Sequence, residues 1–311
     1  MLGCMSPAFA LELDVEPASP PQPSEPYATV YAEAHGLDAV RPVLGLAPLT
    51  KSIRLAQSRA AAVSVGWSGV GIAGFVAAWA VLASRVTGLP SPLASGRELA
   101  TLVKAPFANS GPNGKGIGLQ LLASLQRVGI GFAFAALVGT LVGVAIGTSR
   151  RAWQAVNPLV NLLRPVSPLA WFPIWLTVFH NAPRAAIWVI FITALWPIIM
   201  NTAQGAASVP IDQRNVAKVF RFSRIGYLRS ILLPHTLPSI VTGLRLSMGV
   251  SWMVIVAVEM LSGASGIGFF VWDAYNASNL ARVIAAIVLI GGVGVVMDTA
   301  FMRLNKRVAM A

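Results

Sequence analysis

Residues 209–246 read VPIDQRNVAKVFRFSRIGYLRSILLPHTLPSIVTGLRL, a basic, polar interval set between two long apolar runs. Its first half has the spacing of a short amphipathic helix. Pro210 stands before it, Asp212 can cap it, Val216, Val219, Phe220 and Ser223 follow along one stripe, and Gly226 can end it. Pro234 then opens a new turn, and Pro238 lies near the start of the next apolar run. A short helix of this kind has no lipid face of its own. Its apolar stripe needs either a partner's groove or the interface of an anionic membrane.

Outward from this interval the chain is apolar. Of its 311 residues 56% are hydrophobic and only 11% charged, with a mean hydropathy of +0.70. A soluble domain of this size needs a more polar surface. Six segments are long enough to span a bilayer: 60–84, 128–149, 157–179, 185–205, 238–261 and 283–302. A helix is the open-ended structure that satisfies its own backbone in lipid, so all six are expected to be helices and the fold to be an all-α membrane protein. The expected domain plan is a cytoplasmic, partly disordered tail over 1–59, a membrane domain over 60–307, and a cytoplasmic loop over 206–237. Pro17, Pro20, Pro21, Pro23 and Pro26 cluster in the tail, with six of the eleven acids.

The net charge of +12 admits a nucleic-acid reading, but the bases flank the apolar runs, where topology explains them. With the N-terminus inside, fourteen of the twenty-three Lys and Arg residues lie on the cytoplasmic side, seven lie outside or at outer helix ends, and Arg164 and Arg245 fall within spans. Both termini are therefore expected in the cytosol. Segment 128–149 carries Gly131, Ala135, Gly139, Gly143 and Gly147 at a spacing of four. One small-residue face lets another helix approach closely. Six helices without an inverted repeat point to a half-transporter that pairs with a second copy.

Chemistry is sparse. Cys4 is the only cysteine, so an internal disulfide is excluded and a thiolate metal site is not expected. His35, His180 and His235 stand apart. The run GPNGKG at 111–116 fails as a phosphate loop, because Asn109 stands where the first glycine belongs and Gly116 where a hydroxyl should follow Lys115. No nucleophile and base are paired, so no catalytic residue is assigned and any nucleotide must be handled elsewhere.

The loop resembles the cytoplasmic loop of ABC-importer permeases, whose pattern is E-A-A, three residues, G, nine residues, I-x-L-P. Asn215, Val216 and Ala217 stand at the first triplet, Arg221 at the glycine, and Ile231, Leu233 and Pro234 at the end. The spacing is met in full; Asn215, Val216 and Arg221 depart from the pattern. Residues 164–175, RPVSPLAWFPIW, and 244–276, ending GIGFFVWDAYN, are similar to the nitrate, sulfonate, taurine, cyanate and bicarbonate branch, and the last stretch to nitrate-type members. The resemblance covers about 115–307. It implies a type I importer permease in the cell inner membrane, translocating a small anion. It also implies a coupling helix, with Phe220 among its contacts, seated on an ATPase subunit that binds ATP and Mg. The implied partners are a second permease copy, two ATPase subunits, a periplasmic or lipid-anchored binding protein and membrane lipid, with no nucleic acid and no cofactor in this chain.

Ionisable residues within spans are candidates for function, because burying them is costly. Arg245, Met248, Trp252, Val256 and Glu259 share one helical face, while Arg164 lies on the third segment at a depth similar to Arg245. Arg245 and Glu259 are about 21 Å apart by helical rise and cannot pair. Arg164, Arg245, Trp252 and Glu259 are expected along a pathway. The other reading has snorkelling arginines and Glu259 paired with Arg184 or Arg282. A gradient-driven secondary anion transporter or channel stays open as the alternative, though the sequence shows neither a repeat nor a clearly broken helix.

Overall fold

The computed structural model describes residues 47–109, 111 and 115–309. The proline-rich stretch, Cys4, His35 and residues 112–114 of the 111–116 run lie outside the described residues. The chain divides into two compact units, Met1–Phe75 and Val76–Ala311. Helix α1, Ala47–Arg85, crosses that boundary and begins thirteen residues before the expected span at 60. Its section Gly66–Arg85 is apolar enough to cross a membrane.

In the second unit, α2 (Pro92–Lys104) is a short helix capped by Ser91, whose hydroxyl accepts from the Ala94 N–H, with Pro92 pre-set for the first turn. The long helices are α3 (Ile117–Gly147), α6 (Ala182–Ala207), α9 (Leu233–Ser262) and α11 (Leu280–Ala309). Asn181 caps α6, and Gly263, in the left-handed region at φ 64°, ends α9. Between α9 and α11 sits the short helix α10, Ile267–Asn276. Five helices are long and apolar enough to span a bilayer, or six if one bent pair counts as a single span. Among the described residues no strand occurs.

That bent pair is where the structure departs from the expected third span over 157–179. Helix α4, Arg150–Leu163, stops at Arg164, and after a bend of 92° a 3-10 turn, Pro168–Trp171, leads into α5, Phe172–Phe179. Pro165 and Pro168 lack the N–H groups that would carry the ladder through, so the chain turns. Non-helical backbone at membrane depth is tolerated where it packs on protein or lines a polar cavity.

Helix α6 is the axis of the unit and packs along its length on α3 and α9. The small-residue ladder of α3 explains the closeness. A Cβ added at Gly143 would come within 2.6 Å of Thr202, one at Gly139 within 2.9 Å of Ile198, and one at Gly131 within 2.6 Å of the Ile187 carbonyl. The ladder is therefore used within the chain, against α6, and gives no support to pairing with a second copy. The main core joins α3, α6, α9, α10 and α11 through Val128, Val189, Ile190, Ile255, Val258, Ile267 and Ala286, all buried.

Candidate functional site

The interval between α6 and α9 folds into α7 (Ile211–Val219), α8 (Arg224–Tyr227) and a π-turn (Leu228–Leu232) that runs into α9. Pro210, not Asp212, takes the N-cap position; Asp212 instead lies in the first turn, where a carboxylate faces the positive end of the helix dipole. The expected end at Gly226 is also displaced. Helix α7 stops at Phe220, and Ser223 caps the next helix by accepting from the Gly226 N–H.

The end of α7 accounts for one departure from the resemblance. Arg221 has φ 50°. The Arg221 N–H donates to the Lys218 carbonyl and the Phe222 N–H reaches back to the Ala217 carbonyl at 2.9 Å. This is a Schellman closure, with the left-handed position occupied by the residue that stands where the family pattern has glycine. A glycine there is a backbone requirement, which Arg221 meets at a conformational cost.

The faces of α7 divide sharply. Ala217 is 7% exposed and turned inward, where it shares the wall of a basic cavity of about 510 Å³ with Arg214, Lys218, Arg221, Arg224 and Tyr227. Arg214 donates to the Ala207 carbonyl at 2.8 Å and ties α7 to the end of α6. Outside that cavity Ile211, Val219, Phe220 at the helix end and, from α8, Ile225 are each at least 70% exposed. Asn215 and Val216 are exposed as well. Ile231 and Leu233 are half-buried and Pro234 exposed, next to fully buried Leu232. Of the expected contact residues, then, Asn215, Val216, Phe220, Arg221 and Pro234 are exposed, while Ala217 packs on the chain itself.

The four candidate pathway residues do not converge. Arg245 lies against Asp298 of α11, with Nε and Nη2 donating to the two carboxylate oxygens at 2.6 and 2.9 Å. The depth match was legible: Arg245 is twelve residues into α9 and Asp298 eleven from the end of α11. Trp252 is 5% exposed and its Nε1 donates to the Ile290 carbonyl at 3.0 Å. Glu259 is fully buried and pairs with Arg127 of α3, correcting the expected partners Arg184 and Arg282. Arg282 pairs instead with Glu98 at 3.3 Å. The Glu259 carboxylate also accepts from Ser124 Oγ and from the Gly268 N–H, so it pins α10 to α3 and α9. Three of the four residues thus make side-chain contacts within the chain.

Arg164 is the exception. It is exposed, and it lines a cavity of about 320 Å³ formed at the break between α4 and α5. Thr193 and Trp196 of α6 and Val250 of α9 close the far side. Among the described residues no group of three His, Cys, Asp or Glu side chains gathers to hold a metal ion.

Comparison with known proteins completes the assignment. The pattern of the family described as binding-protein-dependent transport system inner membrane component matches residues 129–310. The chain is 46% identical over 230 residues to the nitrate import permease protein NrtB of Synechocystis sp., covering 74% of this chain and 84% of that one. It is 45% identical over 232 residues to the bicarbonate transport system permease protein CmpB of Synechococcus elongatus, covering 73% and 84%. A solved structure of the inward-facing MetNI methionine ABC transporter superposes with a TM-score of 0.56 at 18% identity, covering 62% of this chain and 95% of that one. That likeness shows a shared fold, the type I importer permease fold. The family pattern spans more than half of the chain, over the same helices that carry the exposed α7 face and the Arg164 cavity, and the chain therefore belongs to the binding-protein-dependent transport system inner membrane components as a multi-pass inner-membrane permease.

Proposed function

We propose that this chain is the translocating subunit of an ATP-driven importer for a small inorganic anion, nitrate in the first place and bicarbonate next. It works as two copies with two ATPase subunits and an external binding protein, both termini facing the cytosol. The observation that carries the reading is the outward face of α7 and α8. Ile211, Val219, Phe220 and Ile225 form an exposed apolar patch that a groove on another protein would take out of water. The basic surroundings, Arg214, Lys218, Arg224 and Arg229, agree with a cytoplasmic position. The choice of anion is supported by the relatives named for nitrate import and bicarbonate transport.

Motion in the ATPase is transmitted when α7 makes different contacts in its open and closed states. Arg214 and the Schellman closure keep α7 rigid, so a push on its outer face is delivered to the end of α6, the axis of the bundle. The experiment is uptake of labelled nitrate and bicarbonate into proteoliposomes holding the permease with its ATPase and binding protein. Uptake that requires ATP and the binding protein is the expected result. Uptake driven by an ion gradient in the absence of ATP identifies a secondary transporter instead. Cysteines placed near 100 and 215 test the orientation: an outside-only reagent should reach the first and not the second.

A further inference from the structure

We propose that the cavity at the α4–α5 break is a mid-membrane binding site for a small monovalent oxyanion, with Arg164 as its charged group. The proposal deepens the anion-import reading and rests on it. Depth comes first. Thr193 and Trp196 lie near the midpoint of α6, and Val250 lies just past that of α9. Both helices are long enough to cross the bilayer, so the cavity sits near its middle.

The lining is chemically one-sided. The Arg164 guanidinium makes no ion pair or hydrogen bond among the described residues, and neither does the hydroxyl of Ser167 nor the indole N–H of Trp171 or Trp196. These residues bring hydrogen-bond donors to one cavity, and no carboxylate lines it. Thr193 is already used, since its hydroxyl donates to the Val189 carbonyl at 2.6 Å. The remaining walls are prolines and aliphatic side chains, which keep the dielectric low and strengthen attraction to the guanidinium. Elsewhere in the spans Arg127 and Arg245 have carboxylate partners; Arg164 alone of the expected pathway cations lacks one.

One guanidinium matches one negative charge, and its planar fork offers two parallel N–H groups to two oxygens of a planar anion. A volume of about 320 Å³ is roughly ten water molecules' share of liquid volume. An ion with several waters fits, so the site holds its anion loosely enough to release it.

The test uses the complex in lipid nanodiscs, with Cys4→Ser and Val166→Cys placing one reporter thiol on the cavity wall. The reporter's rate of reaction with a negatively charged methanethiosulfonate is measured with and without nitrate, bicarbonate or methanesulfonate. At least one of these anions should slow the reaction about fivefold, and Arg164→Gln should abolish that protection. Uptake should fall at least tenfold in Arg164→Gln and partly recover in Arg164→Lys, while ATP hydrolysis and assembly persist. If no anion protects, or if protection survives in Arg164→Gln, the site is overturned. If the wild-type complex imports neither nitrate nor bicarbonate yet shows Arg164-dependent protection, the site stands and the transport reading falls.

Discussion

Glu259 of α9 has no exposure to solvent, and Arg127, 132 residues away on α3, donates to it at 2.5 Å. A charge buried this deeply persists because it is paired and because Ser124 and the Gly268 N–H satisfy its remaining oxygen capacity. Removing one partner leaves the other uncompensated, at a cost of about 3–5 kcal/mol. Arg127→Met should therefore lower the thermal midpoint of the detergent-solubilised chain strongly. Arg127→Met combined with Glu259→Gln should recover at least half of that loss, since the neutral amide still accepts from Gly268. A double variant no better than the single one would show that the charge pair is not the stabilising feature.

Arg245 and Asp298 are bound in parallel by two hydrogen bonds but are roughly half exposed, so solvent weakens the pair where water reaches it. A charge reversal separates pairing from pathway chemistry. Arg245→Asp alone should reduce the amount of folded protein, and Arg245→Asp with Asp298→Arg should restore both yield and uptake. Restored yield without restored uptake would return Arg245 to the pathway.

The apolar runs and the i+4 ladder of α3 were legible, because spacing alone decides them: each ladder glycine meets a defined residue of α6. The break at Arg164 was less so. Two prolines three residues apart were visible, but an apolar stretch with one interruption reads as a single span unless the missing N–H groups are weighed. The charge pairs were hidden for a different reason. Sequence orders residues along a helix, whereas Arg127–Glu259 and Arg245–Asp298 depend on which faces of separate helices meet. Equal depth is the available signal, but a basic residue such as Arg127 at the outer end of an apolar run ordinarily faces water. Ala217 illustrates a third limit: a matched motif position says that a small residue is required, not which side of the helix it faces.

Arg221 holds a left-handed conformation that costs a residue with a side chain about 1–2 kcal/mol. Arg221→Gly should thus stabilise the end of α7 by about 1 kcal/mol after the greater freedom of glycine in the unfolded chain is deducted, read as slower hydrogen exchange over 211–222. Arg221→Val, β-branched and poorly suited to positive φ, should speed exchange over the same residues. Unchanged exchange in both variants would mean that the closure does not limit opening of this segment.

Ala217 of α7 and Phe220 at its C-cap are three residues apart and differ sharply in exposure, the one 7% exposed and the other 70%. Substitutions at the two should fail by different routes. Phe220→Asp places a charge on the face that the proposed ATPase groove covers, without disturbing the permease. The variant should insert and melt like the wild type, yet bind the ATPase at least tenfold more weakly, because desolvating a new carboxylate in an apolar groove costs more than 1.4 kcal/mol. Ala217→Glu forces a longer side chain into the cavity wall that Ala217 shares with Arg214 and Tyr227. The surrounding bases offset part of its charge, so the expected defect is displacement of α7: faster hydrogen exchange over 211–222 and uptake that falls with ATP hydrolysis still running. ATPase binding by pull-down, melting and uptake measured together distinguish the two. If Phe220→Asp binds the ATPase normally and transports at the wild-type rate, the exposed face of α7 is not the coupling surface.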